Sequence, residues 1–411
     1  MTEGEAMAAA ERLRARTVAL LDVGRSPLAP LLAGVLCLTA GIGMVWSVLA
    51  LYLQSLGAGT SVAGFVIACF GGARLVVNVP AGLISERWGR RPTLLVGLLL
   101  LALGSFGAVG AASIPMLMAC LLVQGVGCSA FITTALAAIA DLGTPESRMR
   151  DMAAFQGASL IGVSVGPGIG GLAAATWGFG TPFLLQGATA LLAAIPLYRL
   201  AMPRKTAAAA AAGSRSAAAG TAVPLRLLNA EITGLSFITY GVYYARVAAN
   251  WVLLPLVARS SLGLSLANIG LMLTASAVTN LATLPLTSAA ATRFGRRAVI
   301  IAANLTTAAL LLLLATAHTA ALLWSTALLL GAASGLAAPA VSAIAADAAP
   351  AGRLGAVMGL IRVMTDLGVI TGPIFTGLVV DGLAFGYPGG LIATALMLTA
   401  TTCAFFWMPR R

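Results

Sequence analysis

Ser85-Glu86-Arg87-Trp88-Gly89-Arg90-Arg91 and Ala291-Thr292-Arg293-Phe294-Gly295-Arg296-Arg297 are two copies of one short basic turn, 206 residues apart in a chain of 411. The same offset aligns Gly166-Pro167 with Gly372-Pro373, Gly125 with Gly331 and Asp141 with Asp347. An offset of half the chain marks an internal duplication. Both turns lie between long apolar runs. The chain is 60% hydrophobic and 9% charged, with a mean hydropathy of +0.99. Soluble domains carry about 25% charged residues, and a chain this apolar would present too much hydrophobic surface to water. That excludes an ordinary soluble enzyme and a disordered chain, and makes a bilayer the natural solvent.

A membrane-crossing helix needs about 20 apolar residues. Twelve runs qualify: 30–54, 62–84, 93–112, 115–140, 153–176, 181–200, 229–258, 267–290, 298–317, 320–346, 355–380 and 386–408. They are too long and continuous for the tilted strands of a β-barrel. The expected fold is an all-α integral membrane protein, twelve transmembrane helices in two parallel six-helix repeats. The expected organisation is a cytoplasmic N-terminal segment 1–29, a six-helix bundle 30–200, a cytoplasmic Ala-rich linker 201–228 and a second bundle 229–411.

With the N-terminus in the cytoplasm, 20 of the 24 basic residues fall on the cytoplasmic side and only Arg259 on the other. This bias predicts both termini inside a plasma membrane. The net charge of +12 then reads as topology anchors beside anionic lipid, not as a face for nucleic acid. The first run lacks a clear cleavage site and reads as a retained span. Cys37, Cys69, Cys120, Cys128, Cys403 and the single His318 form no ligand cluster, so no metal or other cofactor is expected. No GxxxxGK[ST] loop is present to support ATP drive.

Gly82, Glu86, Arg87, Gly89, Arg90 and Arg91 resemble the signature loop GxxxDRxGRR of the major facilitator superfamily, with Glu86 at the usual Asp. Gly162, Gly166, Pro167, Gly170 and Gly171 in the fifth run are similar to the glycine-proline motif of its twelve-span drug/proton antiporters, with a copy at Gly368, Gly372, Pro373 and Gly377. The fourth-run pattern RxxxGxG departs here, reading Leu121-xxx-Gly125-Val126-Gly127 without its arginine. The resemblance implies a secondary transporter whose spans one, four, seven and ten line a central cavity. It also implies a state-dependent latch in which Glu86 meets the N-terminal end of span eleven, with Arg90 and Asp141 as neighbours. Simple retention of the loop by its arginines is the alternative. Gly162, Gly166 and Gly170 share one helix face, which suits close packing between helices, and Pro167 bends the span.

A charge at the bilayer centre costs at least about 2.5–3.5 kcal/mol, so Arg74, Arg246, Arg362 and Asp366 each demand a reason. Arg362 and Asp366 share a helix face at i, i+4 spacing. Asp366 is the candidate proton carrier; a permanent Arg362–Asp366 pair is the structural alternative. Arg246 has either Asp366 or an anionic part of the substrate as its partner. Cavity candidates are Trp46, Gln124, Tyr240, Tyr243, Tyr244, Asn250, Trp251 and Ser334, a set suited to an amphiphilic small molecule. The expected function is proton-coupled efflux of small organic molecules by alternating access. The expected partners are substrate, protons and lipid, and the expected state is a monomer. A nutrient importer on the same fold and a non-transporting sensor are the alternatives. If the latch operates, Glu86→Gln slows turnover in a transport assay while expression and orientation stay normal; undiminished turnover excludes it.

Overall fold

A computed structural model describes residues 28–142, 147–199, 230–348 and 354–407. Segment 1–27 and the linker 201–228 lie outside the described residues. Among the described residues twelve helices are long and apolar enough to cross a membrane, and none of those residues is in a strand. The first half holds α1 (Ala29–Trp46, resuming at Leu49–Ser55), α2 (Thr60–Trp88), α3 (Arg90–Val109), α4 (Ile114–Leu142), α5 (Arg148–Trp177) and α6 (Gly180–Arg199). The second holds α7 (Ala230–Val247, a π-helical turn Ala248–Leu253, then Leu254–Ser260), α8 (Leu266–Phe294), α9 (Arg296–Ala315), α10 (Ala320–Ala348), α11 (Leu354–Gly377, ending in a π-turn Leu378–Gly382) and α12 (Gly386–Trp407). The expected spans match these helices within a few residues, except where α2 and α8 run on to the basic turns.

The duplication survives as matched contacts. Gly89 and Gly295, at φ 98° and 84°, turn the chain where a side chain would strain it. Past those turns, Arg90 Nε lies 3.0 Å from Asp141 Oδ2, and Arg296 pairs with Asp347 at the same offset. Arg91 lies over the Tyr198 ring at 4.7 Å, and Arg297 over Phe405 at 4.6 Å. Gly125 packs on the Phe70 carbonyl and Gly331 on the Ser276 carbonyl.

The glycine-proline motifs do two jobs. Gly162, Gly166 and Gly170 pack against α1 within their own half, at Leu36, Ala40 and Met44. Gly368 and Gly372 pack likewise against α7. This regular face is therefore not the seam between halves. The seam lies on the adjacent face of α5, where Gly168 N donates to Thr274 Oγ1 at 2.7 Å and Gly171 meets Gly270 of α8. The two halves meet as α5 on α8 and α2 on α11. Gly64 of α2 lies against the Pro373 carbonyl and Gly270 of α8 against the Pro167 carbonyl, so the two seams are related by the duplication.

Twelve spans put both chain ends on one face, here the terminus face; the opposite face is the distal one. The closest seam contacts are distal. At Gly377 an added Cβ meets Thr60 O at 2.6 Å and at Gly171 it meets Leu266 O at 2.5 Å. At Gly157, on the terminus side of α5, it meets nothing within 4 Å. The distal end is thus closed.

Gly64→Val drives a side chain into Pro373, and overpacking of this kind costs about 1–3 kcal/mol. It should loosen the distal seam, so that an impermeant maleimide added from the distal face labels a cavity cysteine at Ser47→Cys several-fold faster. Gly72→Ala, which meets nothing within 4 Å, should leave labelling unchanged.

Candidate functional site

Two of the three arginines foreseen in the membrane converge on one carboxylate. Asp366 of α11 is 0% exposed. Its Oδ1 lies 3.0 Å from Arg74 Nη2 of α2, an ion pair whose side chains are 14% and 0% exposed. Its Oδ2 accepts from Asn78 Nδ2 at 2.7 Å. Arg362 Nε, one turn away on α11, stands 3.7 Å from Oδ2 and is 40% exposed. The nearest cation is therefore supplied by the other half of the molecule. The i, i+4 spacing could not reveal it because Arg74 and Asp366 lie almost 300 positions apart in sequence.

Asn78 is itself held by two hydroxyl donors. Ser129 Oγ donates to Asn78 Oδ1 at 2.6 Å and Thr133 Oγ1 to the same atom at 3.3 Å. With its oxygen committed to two hydroxyls, the amide must turn its NH2 toward Asp366. The chain Ser129–Asn78–Asp366 thus runs from α4 through α2 to α11 and points every donor at the carboxylate. At the equivalent α5–α8 seam, offset by the repeat, the positions of Arg74, Asn78, Arg362 and Asp366 are Asn280, Leu284, Gln156 and Leu160. The scaffold is duplicated; the charged site is not.

Arg246 is not part of this cluster. Among the described residues no carboxylate lies within ion-pair distance of it. It instead lines a central cavity of about 100 Å³ between the halves, together with Trp46, Asn250, Trp251 and Ser334. Gln124, Tyr240, Tyr243 and Tyr244 are not among its lining residues. Gln124 is buried inside the first half, beside Gly104. Tyr244 is buried on α7, and Tyr240 accepts from Thr371 Oγ1 at 3.0 Å within the second half. Helical spacing alone did not show which face of α4 and α7 turns inward.

Breaks in α1 and α7 place the two tryptophans. Pro255 lacks the N–H that would close an α-turn on the Trp251 carbonyl, and α7 widens there into its π-turn. The α1 helix breaks at Ser47–Val48, the matching position in the repeat. Trp46 and Trp251 then stack across the seam, ring centroids 4.3 Å apart at 25°.

A distal contact absent from the sequence reading completes the seam. The N-cap of α2 is Gly59, which has no side chain to cap the helix. Asp381, at the end of α11, supplies the missing carboxylate: Ser61 N donates to its Oδ2 at 2.8 Å. One half thereby caps a helix of the other, and the helix dipole favours the charge. At the terminus face, Arg90 and Asp141 pair with each other. Glu86 makes no ion pair among the described residues, and its Oε2 is buried without a hydrogen-bond partner. Residues 349–353, leading into α11, lie outside the described residues.

Two six-helix repeats around a central cavity, with a buried ion cluster on their seam, define a multi-pass membrane transporter fold. The family model of the Major Facilitator Superfamily matches residues 31–234 and 236–411, and the chain belongs to that family. Multidrug resistance protein 1 of Bacillus subtilis (strain 168) is 31% identical over 155 residues, covering 38% of this chain and 40% of that protein. Quinolone resistance protein NorA of Staphylococcus aureus is 26% identical over 155 residues, with the same two shares. The chain thus matches less than half the length of these relatives. The crystal structure of a D-xylose–proton symporter superposes with a TM-score of 0.77 at 17% identity, covering 93% of this chain and 97% of that one. An inward-facing, occupied bacterial homologue of the human lysosomal transporter Spinster gives 0.76 at 15% identity, covering 92% and 95%. At these identities the two structures speak for the fold alone.

Removing one member of a buried ion pair costs about 3–5 kcal/mol, and Arg74 is both nearer Asp366 than Arg362 is, at 3.0 against 3.7 Å, and the less exposed of the two cations. Arg74→Met should therefore lower the unfolding midpoint of the purified protein far more than Arg362→Met. Equal losses in a thermal melt would contradict the ranking of the two cations.

Proposed function

We propose that the protein is a proton-coupled exporter of small organic molecules, working by alternating access, in a plasma membrane with both termini in the cytoplasm. The observation that carries the coupling is the position of Asp366: a fully buried carboxylate whose 3.0 Å partner belongs to the opposite half. Ionised, it binds Arg74 and accepts from Asn78, and it ties α11 to α2. A proton on the carboxylate removes its charge and turns one oxygen from acceptor to donor. The ion pair with Arg74 is then lost, and a protonated Oδ2 faces the Asn78 NH2, donor against donor. The tie between halves weakens when the proton arrives and returns when it leaves.

The terminus side supports the same cycle. The distal seam is closed by Gly64, Gly270, Asp381 and the Trp46–Trp251 stack, while Glu86 on the terminus face is without an ion-pair partner among the described residues. In the alternate state the distal contacts open and Glu86 engages α11. The names of the curated relatives support export. Arginines at the basic turns support the cytoplasmic placement of the terminus face.

Asp366→Asn should abolish flux driven by a pH gradient in proteoliposomes while sparing substrate counterflow, which needs no net proton movement. Retained gradient-driven accumulation would overturn the coupling role. Everted vesicles that fail to accumulate substrate when acidified inside would overturn export.

A further inference from the structure

We propose that the transported substrate is an amphiphilic organic anion, its acidic group held by Arg246 and Asn304 and its apolar body lying against Trp46 and Trp251. This deepens the transport reading above and rests on it.

Arg246 is a guanidinium at membrane depth. Among the described residues it has neither an ion-pair partner nor a hydrogen-bond partner, whereas Arg74 and Arg362 both face Asp366. An unpaired charge there is costly, and a bound anion would offset that cost. The residues lining the central cavity include no Asp or Glu, and Arg246 is their one charged member.

A second space lies behind Arg246. A small recess of about 30 Å³ runs into the second half between α7, α9, α10 and α12, and it too is lined without a carboxylate. Arg246, Asn250 and Ser334 line both spaces, so they stand at the junction. Asn304 of α9 lines the recess, is 3% exposed, and its Nδ2 has no hydrogen-bond partner. A buried amide donor left empty costs about 1–3 kcal/mol, and an acceptor group in the recess would remove that cost. The hydroxyls beside it are already donating: Thr307 to Ala303 O at 2.8 Å and Ser334 to Leu330 O. The free donors are therefore the Arg246 fork and the Asn250 amide at the junction and the Asn304 amide in the recess. A planar carboxylate meets an arginine fork with two parallel bonds, which a cation or a neutral amide lacks.

A matched trio of 2-naphthoate, 2-naphthamide and 2-naphthylmethylammonium, titrated calorimetrically into the full chain in nanodiscs, tests the assignment. Naphthoate should bind at least tenfold more tightly than the other two. Arg246→Gln should erase that preference by weakening naphthoate alone; Arg246→Lys should keep the preference at reduced affinity. Asn304→Asp, which places a carboxylate beside Arg246, should remove naphthoate binding while leaving the protein monodisperse. Equal affinity across the trio, no binding of any member, or naphthoate binding untouched by Arg246→Gln overturns the anion site. None of these bears on Asp366, which is read from gradient-driven flux; naphthoate bound but never transported would instead count against the transport reading.

Discussion

A carboxylate sealed from solvent inside a membrane protein is tolerable only if cations and donors converge on it. Asp366 meets that condition by recruiting from both halves: Arg362 from its own helix, Arg74 and Asn78 from α2, with Ser129 and Thr133 fixing the amide behind. The association of α2 with α11 is therefore tied to the charge of one group. Adding a proton there changes the energy of the seam, not merely of a side chain. This is the physical requirement for coupling an ion to the relative position of two domains.

Duplication supplies the rest. Arg90–Asp141 and Arg296–Asp347 brace matching turns, and Gly64 with Pro373 mirrors Gly270 with Pro167. The two seams therefore carry equivalent close approaches. Function enters where the equivalence fails. Leu160 and Leu284 occupy the places of Asp366 and Asn78 on the second seam, so the buried charge cluster has no counterpart at the matching positions there. The second half also carries Arg246 where the first has Ala40, so the cavity is polarised toward one bundle.

The two ends of the seam are in different conditions. At the distal face a carboxylate from one half caps a helix of the other, and two tryptophans stack across the gap. On the terminus face the corresponding acid, Glu86, is buried with an unsatisfied oxygen. An unsatisfied buried acceptor is a stored cost, and engaging it with α11 would help close that face as the distal contacts part.

Much of this was legible in one dimension. Apolar run length fixed the twelve spans, because a bilayer of set thickness admits helices of only one length class. The 206-residue offset fixed the repeat, and the sidedness of the arginines gave the expected orientation. Membrane charges could be picked out as functional by their cost alone. Their partners could not. The sequence pointed to Arg362 as the neighbour of Asp366, since helical spacing reports only contacts along one helix; the nearer Arg74, the donor Asn78 and the trans-cap Asp381 depend on how α2 docks on α11. The same limit misplaced Gln124 and the α7 tyrosines in the cavity and left Asn304 unnoticed. Composition and periodicity determine what must be buried, because solvent acts on every residue alike. Which buried groups meet is decided only when separate helices pack, because that depends on the rotation and tilt of each about its own axis.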